Sequence, residues 1–333
     1  MRRTTTARAL QAAILLLGSS LGGMTYSNAA VAQTKIAFGG SVTWLGQVPV
    51  MVAIEKGFFK QQGLDVEFKV ILSSADRIRA VTSGDIDFSN LGRTAVIAEM
   101  ARGNDSFYYF ANIDDSPGNE GCWARAGFAS IKDLKGKKVA ANTSAEITLN
   151  GLLEANGMTA KDIQYVNLPP NEMGGALNKG DVDAACVWQP LLDGLKAAAP
   201  TGKLLGTDKD TTTFKKYGTM ASPDLVIISR KLADGKPDIA GKLTAAMFKG
   251  ADYATSNPTE AAAAIAHYFK KTPAEVQQGI KTFQYFGAKD WQGHMKLHEA
   301  QLQELTNWLH ATGKTPSAPN VSKWANYKFI PKQ

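Results

Sequence analysis

One pattern occurs twice in this chain and limits what it can fold into. Gly84-Asp85-Ile86-Asp87-Phe88-Ser89-Asn90-Leu91-Gly92-Arg93-Thr94 is echoed by Gly180-Asp181-Val182-Asp183-Ala184-Ala185-Cys186-Val187-Trp188-Gln189-Pro190. Each copy reads as a Gly-Asp turn, a short apolar strand, and a polar or aromatic loop entering a helix. Two such units at wide spacing imply two similar lobes. Ligands of open α/β sheets sit beyond the carboxyl ends of the strands, so two facing sheets would enclose a cleft.

The rest of the chain keeps the same rhythm. Lys35–Gly40 predicts a strand, Val48–Lys56 a helix with apolar residues on one side, and Leu64–Ile71 a second strand. Ser73-Ser74-Ala75-Asp76 has the look of a helix N-cap, with the helix over Arg77–Thr82. Strand and helix alternating in this way predict an α/β fold with mostly parallel sheets flanked by helices. Phe107–Ile113 predicts a strand, and a polar loop then leads to another at Cys122–Arg125. The alternation restarts near Ile131 and runs through the echo. Asp224–Ser229 predicts a return strand, after which the chain is mostly helical, with Pro258 and Pro273 at helix starts. We therefore expect a first lobe over 33–113, a second over 114–225, and a helical part, 226–333, packing back on the first. Both aspartate pairs of the repeat fall at the amino ends of their strands, the wrong end for chemistry.

The first residues have a different character. Arg2, Arg3 and Arg8 precede an uncharged, largely apolar run over 9–21, and Ala30-Val31-Ala32 is a small-x-small site. This predicts a secretory signal peptide over 1–32 with cleavage after Ala32. The alternative is an N-terminal anchor helix. No cysteine follows the apolar run, so lipid attachment is not expected. The chain carries +7, of which the three early arginines supply three, leaving +4 on dispersed side chains. That is no basic stripe for nucleic acid. In an exported protein Cys122 and Cys186 are compatible with one disulfide, the alternative being two buried thiols.

Four motifs carry a family resemblance: Ala53-Ile54-Glu55-Lys56-Gly57-Phe58-Phe59, Ser83-Gly84-Asp85-Ile86-Asp87, Leu134-Lys135-Gly136-Lys137-Lys138-Val139-Ala140, and Gly180 to Trp188. Together they resemble the extracytoplasmic substrate-binding proteins of taurine, aliphatic-sulfonate and nitrate ABC importers, most closely the taurine-binding branch. The resemblance covers nearly the whole chain after residue 32. It implies a two-lobed periplasmic binding protein of type II that works as a monomer, closes on a small ligand, and delivers it to permease subunits in the inner membrane. It implies no cofactor.

Taurine is a short zwitterion. A sulfonate suits helix N-terminal N–H groups, hydroxyls and a guanidinium fork; an ammonium suits carboxylates or an aromatic face. Anion-side candidates at strand-to-helix junctions are Ser41, Thr43, Ser73, Ser74, Asn90, Arg93, Thr94, Thr143 and Ser144. Arg93 stands out because a cation at a helix start is electrostatically misplaced, which points to a bound anion; the plain alternative is a surface arginine. Each Ser or Thr has the alternative of a simple N-cap. Cation-side candidates are Asp114, Asp115, Glu120, Glu146 and Asp224. Glu146 departs from the hydroxyl-rich junction of the family and favours a cargo with a positive end. Trp44, Trp123 and Trp188 could sandwich a carbon chain or cage a quaternary ammonium such as choline or betaine. Nitrate or an alkanesulfonate are further alternatives.

Other chemistry is not indicated. His294 and His298 lie one helical turn apart but lack a third ligand, so no metal is expected. Phosphate loop, dinucleotide fingerprint and GxSxG elbow are all missing from the sequence. An exported enzyme on the same fold, akin to pyrimidine-precursor synthases, is a remote alternative, because their His and Cys clusters are lacking here. We expect a protein that is not an enzyme.

Overall fold

The computed structural model describes residues 33–220 and 222–331; the expected signal peptide and its cleavage site lie outside them. The strands are β1 (Thr34–Gly40), β2 (Leu64–Val70), β3 (Phe88–Leu91), β4 (Phe107–Ala111), β5 (Asp114–Asp115), β6 (Glu120–Ala124), β7 (Lys138–Ala141), β8 (Gln164–Asn167), β9 (Ala184–Trp188), β10 (Lys203–Thr207), β11 (Leu225–Ser229) and β12 (Gln284–Tyr285). One five-stranded sheet has the order β2-β1-β3-β11-β4 and the other β10-β6-β9-β7-β8. The two repeated strands, β3 and β9, are therefore the central strands of the two sheets. A central strand is covered on both faces, which explains why both copies are short and nearly free of charge.

Four strands of each sheet run the same way. The reversed strand is β11 in the first sheet and β6 in the second. Each is the first full strand after the chain passes from one sheet to the other. Leu225, expected as the last residue of the second lobe, instead opens β11 and pairs with Leu91 of the first sheet. The sequence reading overlooked β10, whose Lys203–Thr207 lacks a clear apolar alternation, and the small ladder of β5 with β12.

The second aspartate of each copy, Asp87 and Asp183, is structural. Gly84 and Gly180 end their preceding helices, Ser74–Ser83 and Pro170–Lys179, in the left-handed region (φ 84° and 80°), which a side chain resists. Asp87 then accepts the Ala37 N–H at 2.8 Å, and Asp183 accepts the Lys138 N–H at 3.0 Å. Each carboxylate thus pins the neighbouring parallel strand, and Asp183 adds an ion pair to Arg125 at 2.6 Å.

The core follows the sheets. One cluster joins β1, β3, β4 and β11 to the helices Val48–Glu55, Pro237–Ser256, Pro258–Phe269 and Trp291–Ala311, so the C-terminal helices do pack on the first sheet. The second sheet has separate clusters on its two faces, one under Ala145–Ala155 and one under Pro170–Lys179 and Leu191–Ala198. Cys122 and Cys186 stand opposite each other in the β6–β9 register and form a disulfide.

Candidate functional site

A polar cavity of about 120 Å³ lies between the two sheets, lined by residues of both, among them Ser74, Gly92 and Asp224 beside Glu120, Ser144 and Trp188. At ~10–15 Å³ per water-sized group it has room for roughly ten, which suits a small ligand.

Three helix starts converge here. Ser74 is the first residue of Ser74–Ser83, Gly92 is the N-cap of Arg93–Ala101, and Ser144 is the N-cap of Ala145–Ala155. The helix field makes such positions favourable to an anion, although at the third the Ala145 and Glu146 N–H groups are already taken by Asn142, through Oδ1 at 2.9 Å and its carbonyl at 2.8 Å. Hydroxyls surround them. Ser41 Oγ lies 2.8 Å from Thr43 Oγ1, and Ser74 Oγ accepts the Gly92 N–H at 3.2 Å and Arg77 Nη2 at 2.9 Å. Ser222 also lines the cavity.

Carboxyl groups supply the opposite polarity. Glu120, at the start of β6, takes a hydrogen bond from the Thr148 hydroxyl at 2.5 Å. Burial pushes its carboxyl up to about 8; Asp208 adds to the rise and the Thr148 bond opposes it. Asp224 is raised to about 6 by burial against the pull of Arg77 and Arg93. The indoles of Trp44 and Trp188 complete the lining. The site can therefore meet an anionic end with amides and hydroxyls, and a cationic or hydrogen-bonding end with carboxyls and aromatic faces.

Of the ligand candidates read from the sequence, Ser41, Trp44, Ser74, Ser144 and Trp188 line this cavity together with Asp224, and so do Thr43 and Glu120. The others do not. Asn90 is buried and clamps two loops, donating to Gly46 O at 3.1 Å and Asp114 Oδ1 at 3.2 Å. Asp114 is buried beneath the same clamp, with its carboxyl raised well above the usual range by burial and by Asp224. Thr94 is half-buried away from the cavity. Glu146 turns to Lys314, its Oε2 lying 2.8 Å from Nζ. Trp123 donates its indole N–H to Ala199 O at 3.0 Å, so two tryptophans rather than three reach the cavity.

Arg93 is the instructive correction. Its side chain is fully buried, bonded through Nη1 to Gln301 Oε1 at 2.7 Å and through Nη2 to His298 Nδ1 at 2.6 Å. Burial lowers its pKa to about 10, while Asp115, Asp224 and Asp114 act to hold it charged. The guanidinium is thus turned into the interior, towards Gln301 and His298 of the C-terminal helix, and does not line the cavity. His298 is committed to Arg93, and His294 stacks on Phe286 with ring centres 3.6 Å apart. Among the described residues no group of three or more metal-ligating side chains converges.

The arginine that does line the cavity, Arg77, was missed. It sits in the first turns of its helix after the Ser73 N-cap, so the argument made for Arg93 would have found it. Its Nη1 donates to the carbonyls of Ile71 and Leu72 at 2.7 and 2.9 Å, which anchors the guanidinium at the cavity wall.

Comparison with known proteins places the chain in context. A family model described as NMT1/THI5 like matches residues 45–261. A putative binding protein of Brucella abortus is 26% identical over 232 residues, covering 69% of this chain and 70% of the relative. The taurine-binding periplasmic protein of Escherichia coli is 27% identical over 198 residues, 57% of this chain and 58% of that one. Among solved structures, the periplasmic aliphatic sulphonate binding protein of Escherichia coli superimposes with a TM-score of 0.70 at 16% identity, covering 87% of this chain and 91% of its own. That likeness establishes the fold, a periplasmic binding protein fold of α/β type.

Proposed function

The chain belongs to the NMT1/THI5-like family, and from that premise we propose that it is the solute-binding protein of an ABC importer, capturing taurine or a related small amino-sulfonate in the periplasm. The observation that carries this reading is the bipolar cavity: three helix starts and a set of hydroxyls share one small space with Glu120, Asp224 and two indoles. With its carboxyl raised to about 8, Glu120 is a neutral hydrogen-bonding group near pH 7, and Asp224, at about 6, is the carboxylate that makes burying a plain anion such as nitrate beside it costly. A zwitterion uses both halves. Relatives named as binding proteins support the reading, and no described helix is long and apolar enough to cross a membrane.

In this reading the protein retains its ligand and does not turn it over. The two sheets close on the cargo by hinge motion of the crossing segments, and the closed form docks on the permease. Calorimetric titration with taurine, choline, betaine, alkanesulfonates and nitrate tests the specificity. Taurine should bind stoichiometrically and be recovered unchanged. Tight nitrate binding with none of taurine would overturn it, and so would consumption of the ligand. Tight choline or betaine binding without taurine would assign Trp44 and Trp188 to a quaternary ammonium.

A further inference from the structure

Glu146 was expected at a ligand and is instead bound to the opposite lobe. It lies two residues past Ser144, which lines the polar cavity, in the first turn of Ala145–Ala155. That helix packs under the second sheet through Ala145, Leu149, Leu152 and Leu153. The Glu146 carboxylate nevertheless points out of its own lobe, with Oε2 2.8 Å from Lys314 Nζ and the glutamate side chain 9% exposed. Ile147, the next residue, is buried in the cluster of the first sheet. One turn of the second lobe thus reaches across with an ionic and an apolar contact.

Lys314 belongs to the first lobe. The helix Trp291–Ala311 is held in the first core by Met295, Leu302 and Leu309. The chain then turns at Gly313, whose left-handed backbone (φ 74°) lets the Lys314 N–H return to Leu309 O at 2.8 Å. His310 Nδ1 lies 3.0 Å from Thr315 O, and Ser317 Oγ donates to Ala101 O at 2.8 Å, so this turn is fixed to the first lobe.

The helices Ala145–Ala155 and Trp291–Ala311 meet unevenly. At the crossing segment Gln301 Nε2 donates to Met220 O at 2.8 Å. Beyond it a crevice of about 110 Å³ separates Ile147, Asn150 and Gly151 from Gln301, Leu305 and Trp308, in contrast to the close packing inside either lobe. Lys314 stands past the end of its helix, about 15 Å or more along it from Gln301. A hinge rotation on the order of 15° at the crossing carries it roughly 4 Å, enough to part the ion pair while the bond to Met220 O holds.

We propose that Glu146 and Lys314 form a latch that holds the two lobes shut over the cavity without touching the ligand. They are positioning residues: they set how much of the protein is closed, and the affinity for any cargo scales with that fraction. This goes beyond the proposed function and does not depend on which small molecule fills the cavity.

Glu146→Gln and Lys314→Met each remove one charge of the pair, with cooperative thermal melting as the control for folding. In small-angle X-ray scattering of the ligand-free protein, both variants should show a larger radius of gyration than wild type. In calorimetry, taurine and methanesulfonate should weaken by the same factor, about fivefold or more. The double variant should bind no more weakly than the more affected single one, because both changes break one interaction. A radius of gyration or affinities unchanged in both folded variants overturn the latch. So does a loss confined to one of the two ligands, which would return Glu146 to the ligand site. If neither ligand binds the wild-type protein, the amino-sulfonate reading falls and the scattering still decides the latch.

Discussion

Asp115→Asn isolates the energetic cost of burying acids where the chain crosses between the sheets. Asp115 is 1% exposed, and its Oδ1 alone accepts both the Ser116 N–H at 2.9 Å and the Met220 N–H at 3.2 Å. An asparagine keeps an acceptor oxygen in that place, so the change removes a titration while preserving both bonds. Burial raises the Asp115 carboxyl to about 7; the Met220 and Ser116 N–H groups and Arg93 oppose the rise, and Asp208 adds to it. In the unfolded chain the value is about 3.9. Between these values the folded protein holds a proton that the unfolded chain has released. The stability from this group is therefore complete below about pH 4 and is lost as pH rises to about 7. At about 1.36 kcal/mol per pH unit, the loss between pH 5 and pH 8 is on the order of 2–3 kcal/mol. Urea unfolding at those two pH values should show the variant gaining on wild type by that amount. Asp208 at about 6 and Glu120 at about 8 titrate in both proteins and cancel to first order. Equal pH slopes for the two proteins would refute the placement of a desolvated carboxyl at 115.

Arg93→Met should cost about 1–3 kcal/mol in the same unfolding assay, because it removes the buried guanidinium that bonds Gln301 and His298; an unchanged urea midpoint would show that these bonds do not hold the C-terminal helix. Asp224→Asn should weaken taurine by about 1–3 kcal/mol in calorimetry while leaving a simple alkanesulfonate little affected; an equal loss for both would remove Asp224 from the ammonium end. Lys314→Met leaves Glu146 buried without its cation and should destabilise the fold by about 1–3 kcal/mol, whereas an unchanged urea midpoint would make the pair a solvent-screened contact. Non-reducing mass spectrometry should find Cys122 and Cys186 linked; two alkylatable thiols in the native protein would contradict the bridge.

Much of the fold was legible because it depends on local signals. Gly-Asp turns after helices, short apolar strands and helix N-caps are set by backbone sterics and nearest-neighbour hydrogen bonds, and these recur in both copies of the repeat. The cavity residues Ser41, Ser74, Ser144, Trp44 and Trp188 were found for the same reason, since position at a strand-to-helix junction is a local property. The direction of a side chain beyond such a junction is not local. Arg93 and Glu146 both stand at helix starts, yet Arg93 is claimed by His298 and Gln301 and Glu146 by Lys314, all from the far end of the chain.

The amino-acid sequence by itself thus determined two similar α/β units, their order, and a cleft between the strand ends. Only the tertiary structure decided which charges enter that cleft. A charge goes wherever its desolvation is best compensated, and the compensating groups come from the C-terminal helix and the crossing strands, brought in by packing that no local pattern records. The repeated motif is resolved in the same terms: its second aspartates, Asp87 and Asp183, pin neighbouring strands, and the cavity is lined past the other end of each strand, at Gly92 and Trp188.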